Sequence, residues 1–500
     1  TTVPPTSTTS TTTTSTSTTV PPTTTTSSST TTTTTVPLGT PWLQHLSAAT
    51  NEQHSQIVTD SSGNVYATGY FCGPSMTVGS VTLTSAGSCD GYLEKVSPSG
   101  QVVWAKRFGS TGAEFPFSIA LDDAGNIYMT TTFEATFNFG ASTLTYVAPQ
   151  YGQWAYLKFS SSGSPIWGVA VPELNINFLD VAASGTVVAL VGSLNSVSTT
   201  ITFGTMSQSL PAMEATVISG LNTSTGNATW MKFVASNDGP VTGVDSAVDS
   251  SGNVYVSGAF SGSLIADVSR PGQQGSPQDM YVAKFSSAGA WNYFQTFTGS
   301  ADEYPSYMAV DSSKQVYLAY GTDSPTVSLG STIVAPASAS GARRFGVVQL
   351  SADGSSVVNS KVFESNYSMK GCYWFDYQSE YSCIGGLAVD ATRGVVFLAG
   401  MYRNQTLSFG AKTVSNPGSS HDIFYVGYRL SDGAVLMADR VGDSGNEYFQ
   451  GANGLAVDGD GSPFLAFDSG SSQLVNGNVT YTNQGIDAYL VKSNRLGQWP

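Results

Sequence analysis

Apolar and polar positions alternate in short runs along most of the chain, and the runs repeat. "DSSGNVYATGYF" fills Asp60 to Phe71, and "DSSGNVYVSGAF" fills Asp249 to Phe260. Each couples a polar loop to an apolar, β-prone run, the pattern of a strand. Altered copies are "LDDAGNIYM" at Asp122, "VDSSKQVYL" at Asp311, "VDATRGVVFL" at Asp390 and "VDGDGSPFL" at Asp458. An eroded copy, "VAASGTVVAL", has Ala182 in the Asp position. Asp can bond backbone N–H groups two residues on, and Gly supplies positive φ. Each copy therefore predicts a β-hairpin.

A second predicted hairpin follows each first one, as in "YLEKVSPSGQVVW", "YLKFSSSGSPIW", "YVAKFSSAGAWNYF" and "FGVVQLSADGSSVV". Its turn glycines are Gly100, Gly163, Gly226, Gly289, Gly354, Gly433 and Gly497, spaced by 63, 63, 63, 65, 79 and 64. Each unit thus holds four short strands, A to D, with the Asp loop between A and B. Four-stranded units in tandem predict a β-propeller, because one small sheet cannot bury both its faces alone. The last unit ends after its C strand. "PWLQHLSAATNEQ" stands before the first A strand without a unit of its own. Trp42 precedes Glu52 by the interval that separates Trp104 from Glu114, Tyr293 from Glu303 and Met437 from Glu447. Residues 41–47 are therefore expected to supply the missing D strand, which predicts an all-β, seven-bladed propeller over residues 39–500.

The "DSSGNVYVSG" block, the "YVAKFSSAG" block after it and the following Trp resemble the seven-bladed propeller repeat of secreted bacterial and archaeal proteins, abbreviated SBBP. The resemblance covers residues 41–500, is strong in units one and four and is weak in unit three. It implies a propeller outside the cell. It implies no single activity, because propellers host many functions.

Composition sharpens the setting. Charged residues are 11% of the 500, net charge is −15 and the pI is near 4.4. Nucleic acid and anionic membrane both require a basic footprint, so neither is an expected partner. No apolar run approaches the ~18 residues of a membrane-spanning helix. Residues 1–36 contain only Thr, Ser, Val and Pro. Residues 1–38 read as a stalk or linker, and such tracts are commonly O-glycosylated. With no initiating Met or signal peptide, a mature product or a fragment is expected.

Candidate chemistry is sparse. Cys72 with Cys89 and Cys372 with Cys383 form close pairs, which favour two local disulfides. The loops from D to the next A share a face with those from B to C. The D–A loops carry Glu52, Glu114, Glu173, Asp238, Glu303, Glu380 and Glu447. If all reached the axis they would form a carboxylate ring suited to calcium. Otherwise each accepts backbone N–H bonds and locks neighbouring blades, the favoured reading. "GCYWFDYQSEYSC" gathers Tyr373, Trp374, Phe375, Tyr377 and Tyr381 in one small loop. Rigid aromatics there fit a glycan or a cell-surface protein, or form a local mini-core. No G-x-S-x-G, H-E-x-x-H or P-loop occurs, and His45, His54 and His421 are scattered. Sequons at Asn222, Asn227, Asn366, Asn404 and Asn478 are no more than a Ser/Thr-rich chain supplies by chance. The expected function is non-enzymatic binding or adhesion at the cell surface. The alternatives are a structural subunit of a surface layer or filament, made of copies of the chain, and a carbohydrate-active enzyme. The last requires two loop-face carboxyls ~5 to 9 Å apart.

Overall fold

The computed structural model describes residues 1–2, 40–48, 50–147, 152–172, 176–194, 200–210, 214–236, 239–266, 277–338, 341–372, 382–442, 445–449, 452–476, 479–494 and 498. The chain divides into two compact units, Thr1–Pro37 and Leu38–Pro500. The second is an all-β propeller, and its described residues contain no helix.

Among the described residues, six sheets carry four antiparallel strands in the chain order A, B, C, D. Their A strands are Glu52–Thr59, Glu114–Leu121, Ile176–Ser184, Val241–Val248, Glu303–Val310 and Cys383–Asp390. A further sheet is composite. Its inner strand is split into Glu447–Tyr448 and Leu455–Val457, which both pair with Pro463–Ser469. Asp487–Lys492 pairs next to that strand. Trp42–Ala48 pairs outside it, with Trp42 to Leu46 opposite Lys492 to Ala488.

The repeated Asp loop is a closed set of hydrogen bonds. Asp60 Oδ1 accepts the N–H groups of Ser62 at 3.0 Å and Asn64 at 2.9 Å, and Oδ2 accepts Asn64 Nδ2 at 2.8 Å. The Tyr66 hydroxyl donates to the same carboxylate, and Lys95 Nζ lies 3.2 Å away. Asp122, Asp249 and Asp311 repeat the arrangement with Tyr128, Tyr255 and Tyr317. The lysine of strand C covers the tyrosine of strand B: Lys95 on Tyr66, Lys158 on Tyr128 and Lys284 on Tyr255, at 4.8, 5.2 and 4.7 Å from the ring centres. Asp, Asn, Tyr and Lys therefore recur together because they complete one another.

The C–D turn glycines have a packing reason. Trp104 lies on Gly163, Trp167 on Gly226, Trp230 on Gly289 and Tyr293 on Gly354, each contact running from one unit to the next. A Cβ at any of these glycines would meet the ring. The indole N–H groups of Trp167 and Trp230 donate to Thr223 O and Ser287 O in the next turn, at 3.1 and 3.0 Å. Trp42 repeats the contact on Gly100 and donates to Pro98 O at 3.0 Å.

Apolar clusters fill the spaces between neighbouring sheets. One joins Tyr66, Leu93 and Phe108 of unit one to Ile127, Met129 and Leu157 of unit two. Burying each such large side chain contributes ~1.5–3 kcal/mol.

The B–C connections, expected as plain loops, hold short hairpins. Examples are Ser75–Val78 with Val81–Thr84, Val327–Leu329 with Thr332–Ala335, and Gln405–Phe409 with Lys412–Asn416. The first strand of each pairs with the D strand of another sheet, Trp42–Ala48, Trp291–Thr298 and Val357–Ser365 respectively. The pairing covers outer sheet edges that would otherwise be open. Its sequence signal is a short alternation about a glycine, as in "VGSVTLT", "LGSTIVA" and "FGAKTVS".

Candidate functional site

The acidic residues of the D–A loops occupy separate pockets at the sheet junctions. Glu52, Glu114, Glu303 and Glu447 each open an inner strand. Each lies near an aspartate that opens the C strand of a neighbouring sheet: Asp487, Asp90, Asp279 and Asp422. A Cβ at Gly109 would run into the carboxyls of both Asp90 and Glu114, and one at Gly442 into those of both Asp422 and Glu447. The described members accept hydrogen bonds at their own junctions. The Glu114 carboxyl accepts Ser110 Oγ at 2.5 Å and Ser110 N at 2.9 Å, Glu52 accepts Ala48 N at 2.8 Å, and Glu447 accepts Ser471 Oγ at 2.7 Å. Glu173, Asp238 and Glu380 lie outside the described residues.

A basic or imidazole side chain on the D strand completes three of the four pockets. Arg107 reaches Asp90 at 2.7 Å, His45 reaches Asp487 at 2.7 Å, and Arg440 bonds Asp422. Thr296 holds the matching place beside Asp279, opposite Tyr281 as Arg107 is opposite Tyr92. There Glu303 lies against Asp279, and burial raises both carboxyls. Burial pushes the Glu303 carboxyl up to about 8, that of Glu52 to about 8 and that of Glu114 to about 7.

A second polar belt joins the inner strands. Gln56 Oε1 accepts the Ile119 N–H at 2.6 Å, and Asn453 is bonded to Leu387 through both side-chain atoms, at 3.0 and 2.7 Å. The Ile57 N–H donates to Asn453 O at 3.3 Å. Asp180 and Asp245 belong to this belt. The sequence reading missed them because they are single acids without a shared spacing. The junction aspartates had a signal, since "DGYLEK", "DMYVAKF", "DIFYVGY" and "DAYLVK" all begin with Asp.

Two histidines are used in packing. His54 is buried, its Nδ1 lies 2.7 Å from the Tyr92 hydroxyl, and burial pushes its ring down to about 3. His45 stacks on Tyr489 beside Asp487. Among the described residues, no three His, Cys, Asp or Glu side chains form a metal-holding group.

Both expected disulfides are present, Cys72–Cys89 and Cys372–Cys383. The first spans a B–C connection and its hairpin. The second closes the segment that bears the aromatic run. The Cys372 N–H donates to Ile384 O at 2.8 Å, and Lys370–Gly371 runs parallel to Cys383–Asp390. Both ends of that segment are thus anchored on an inner strand. Tyr373, Trp374, Phe375, Tyr377 and Tyr381 lie outside the described residues. Two disulfides point away from a reducing cytosol.

No protein-family profile matches the chain, and no curated protein matches it. Solved structures match the chain at low identity. The chain is similar to the Dos1 propeller at 6% identity, with a TM-score of 0.44 and 93% of this chain and 96% of that one covered. A phage phi92 endosialidase matches at 11% identity and TM-score 0.41, over 91% and 69% of the two chains. A Dyadobacter fermentans protein of unknown function matches at 8% identity and TM-score 0.36, over 90% and 98%. Such values say nothing of activity.

Proposed function

We propose that the chain is an extracellular, non-enzymatic binding or adhesion module, a seven-bladed propeller carried on an O-glycosylated stalk of residues 1–38. The seventh blade in this reading is the composite sheet, completed by the N-terminal strand. Three contacts support it: the pairing of Trp42–Ala48 with Asp487–Lys492, the seat of Trp42 on Gly100, and the bond from Ile57 to Asn453. The first completes the composite sheet, and the other two join that sheet to unit one as the other units are joined to their neighbours.

The observation that carries the binding reading is the anchored aromatic segment. A disulfide and a parallel strand pair fix its two ends at an inner strand. Fixing the ends lowers the entropy cost of presenting Tyr373, Trp374, Phe375, Tyr377 and Tyr381 to a glycan or surface protein. The carbohydrate-active alternative has less support, because the described D–A loop glutamates are buried and taken up by serine, threonine and backbone donors at their own junctions. The test is a glycan array probed with the full chain and with Trp374→Ala. Retained signal for the wild type and a loss of ~30-fold or more for the variant, with an unchanged melting transition, supports the reading. Unchanged array binding with a lowered melting transition would make the cluster a mini-core.

A structural subunit is the second reading. The D strand Val102–Phe108 ends its sheet, and Val103 on it is 54% exposed. An edge of that kind can accept a strand from another copy.

A further inference from the structure

Asp180 and Asp245 lie on the inner strands Ile176–Ser184 and Val241–Val248, and both are buried. One residue touches both carboxyls: the Ser246 N–H donates to Asp245 Oδ1 at 3.0 Å, and the Ser246 hydroxyl donates to Asp180 Oδ2. The remaining oxygens reach outward. Asp180 Oδ1 accepts Ser118 Oγ of unit two at 2.6 Å, and Asp245 Oδ2 accepts the Met308 N–H of unit five at 2.6 Å. The pair therefore ties four successive units together at the inner strands.

Every one of those donors is neutral. The A strands of units two to five contain no Lys, Arg or His, and neither do the B strands Ile127–Phe133, Val187–Leu194, Val254–Phe260 and Val316–Thr322. Their other ionisable groups are acidic or phenolic: Glu114, Glu303, Tyr128, Tyr255, Tyr304, Tyr307, Tyr317 and Tyr320. Glu214 opens the neighbouring strand Glu214–Leu221. Lys232 lies on Ala228–Ser236 and Lys284 on Asp279–Phe285, where Lys284 donates to Ala352 O and covers Tyr255. Two adjacent carboxylates cannot both ionise at low cost in a dry site without a cation.

We propose that Asp180 and Asp245 hold a proton between them and form a latch that is closed in acid and loosened as the medium turns alkaline. Burial pushes Asp180 up to about 6, and burial with the charge of Asp180 pushes Asp245 well above the carboxylate range. The titration belongs to the pair. Acids raised in the folded state bind more protons folded than unfolded. Stability is then fully present below about pH 4 and falls as pH rises through about 6 and beyond. A rise from 3.8 to about 6 corresponds to about a hundred-fold change in the folding equilibrium constant. The latch would suit a protein that works in an acidic medium.

The test follows urea unfolding of the full chain from pH 4 to 9, for the wild type, Asp245→Asn and Asp180→Asn. Other buried carboxyls also titrate, so the difference between proteins is the diagnostic quantity. Asn keeps an acceptor and removes the charge. Each variant should therefore lose at least ten-fold less of its folding equilibrium constant between pH 5 and 8 than the wild type does. Parallel profiles for all three proteins would overturn the proposal. Isotope-edited infrared spectra of Asp-labelled folded protein give a readout independent of unfolding. Buried Asp279 and Asp468 are raised as well, so a carboxylic-acid band at pH 5 that is weaker in both folded variants than in the wild type supports the shared proton; bands of equal strength in all three proteins overturn it.

Discussion

Units four and three solve the same turn with opposite chemistry. In unit four, Asp249 accepts Ser251 N, Asn253 N, Asn253 Nδ2 and the Tyr255 hydroxyl, and Lys284 lies over Tyr255. In unit three the matching residues are Ala182, Val188 and Leu221. Val188 pairs with Leu221, as Tyr255 pairs with Lys284, and both join an apolar cluster. The lost acid is partly replaced by Asp123 of unit two, whose Oδ1 accepts the Gly185 N–H at 3.0 Å. The turn glycine remains, with φ of 58° at Gly185 and 78° at Gly252. The polar trio is thus exchangeable as a set, whereas the backbone bend is kept. Losing one member strands the other two, and losing all three lets the site refill with carbon.

The sharpest way to break that comparison is in the composite sheet. Its trio is Asp458, Phe464 and Lys492, with a 2.8 Å ion pair between two nearly buried side chains. Lys492→Met should cost about 3–5 kcal/mol in urea unfolding at pH 7, because Asp458 stays buried without its cation. The double change Asp458→Ala with Lys492→Leu imitates unit three and should recover at least half of the loss. A double variant no better than the single one would refute exchange as a set.

A smaller effect is expected from Asp249→Ala, about 1–3 kcal/mol for the stranded donors. Its pH dependence is opposite to that of the Asp180–Asp245 pair. Burial pushes Asp249 up, but the bonds from Asn253, Tyr255 and Ser251 outweigh it and hold the carboxyl below its ordinary value. A depressed acid stabilises above its unfolded pKa and loses that contribution as pH falls through the folded value. The gap between wild type and Asp249→Ala should therefore narrow below about pH 4 in denaturant titrations. A gap that widens in acid would contradict the assignment.

The smallest effect is at the bend that the two units share. Gly185→Ala places a Cβ at positive φ with only Asp123 Oδ2 nearby, at 3.8 Å, and should cost about 1 kcal/mol. Gly252→Ala should cost more, because its Cβ would meet Val187 Cγ2 at 2.6 Å. Equal losses in thermal unfolding would show that backbone strain alone decides both.

The repeat was legible because its signals are local and periodic: the Asp loop, the turn glycine and the D-strand aromatic recur at nearly fixed spacing. The reason for the aromatic was not legible. Trp104 is needed by Gly163 of the next unit, a contact between residues far apart in the chain. The B–C hairpins were missed because strands of three to five residues, such as Phe137–Phe139, carry too few alternations to stand out. At the candidate site, the D–A acids were found by register, but their partners lie on other strands. Asp180 and Asp245 had no pattern to betray them, since only folding brings them to one serine.

The central claim is that the N-terminal strand is an integral part of the last blade. Hydrogen exchange tests it most directly, by comparing the amides of Trp42–Ala48 with those of its partner Asp487–Lys492. The account predicts that hydrogen-bonded amides in both strands exchange only through the same large-scale opening, with protection alike within about ten-fold. Exchange of Trp42–Ala48 at the rate of an unstructured peptide, while Asp487–Lys492 stays protected, would contradict it.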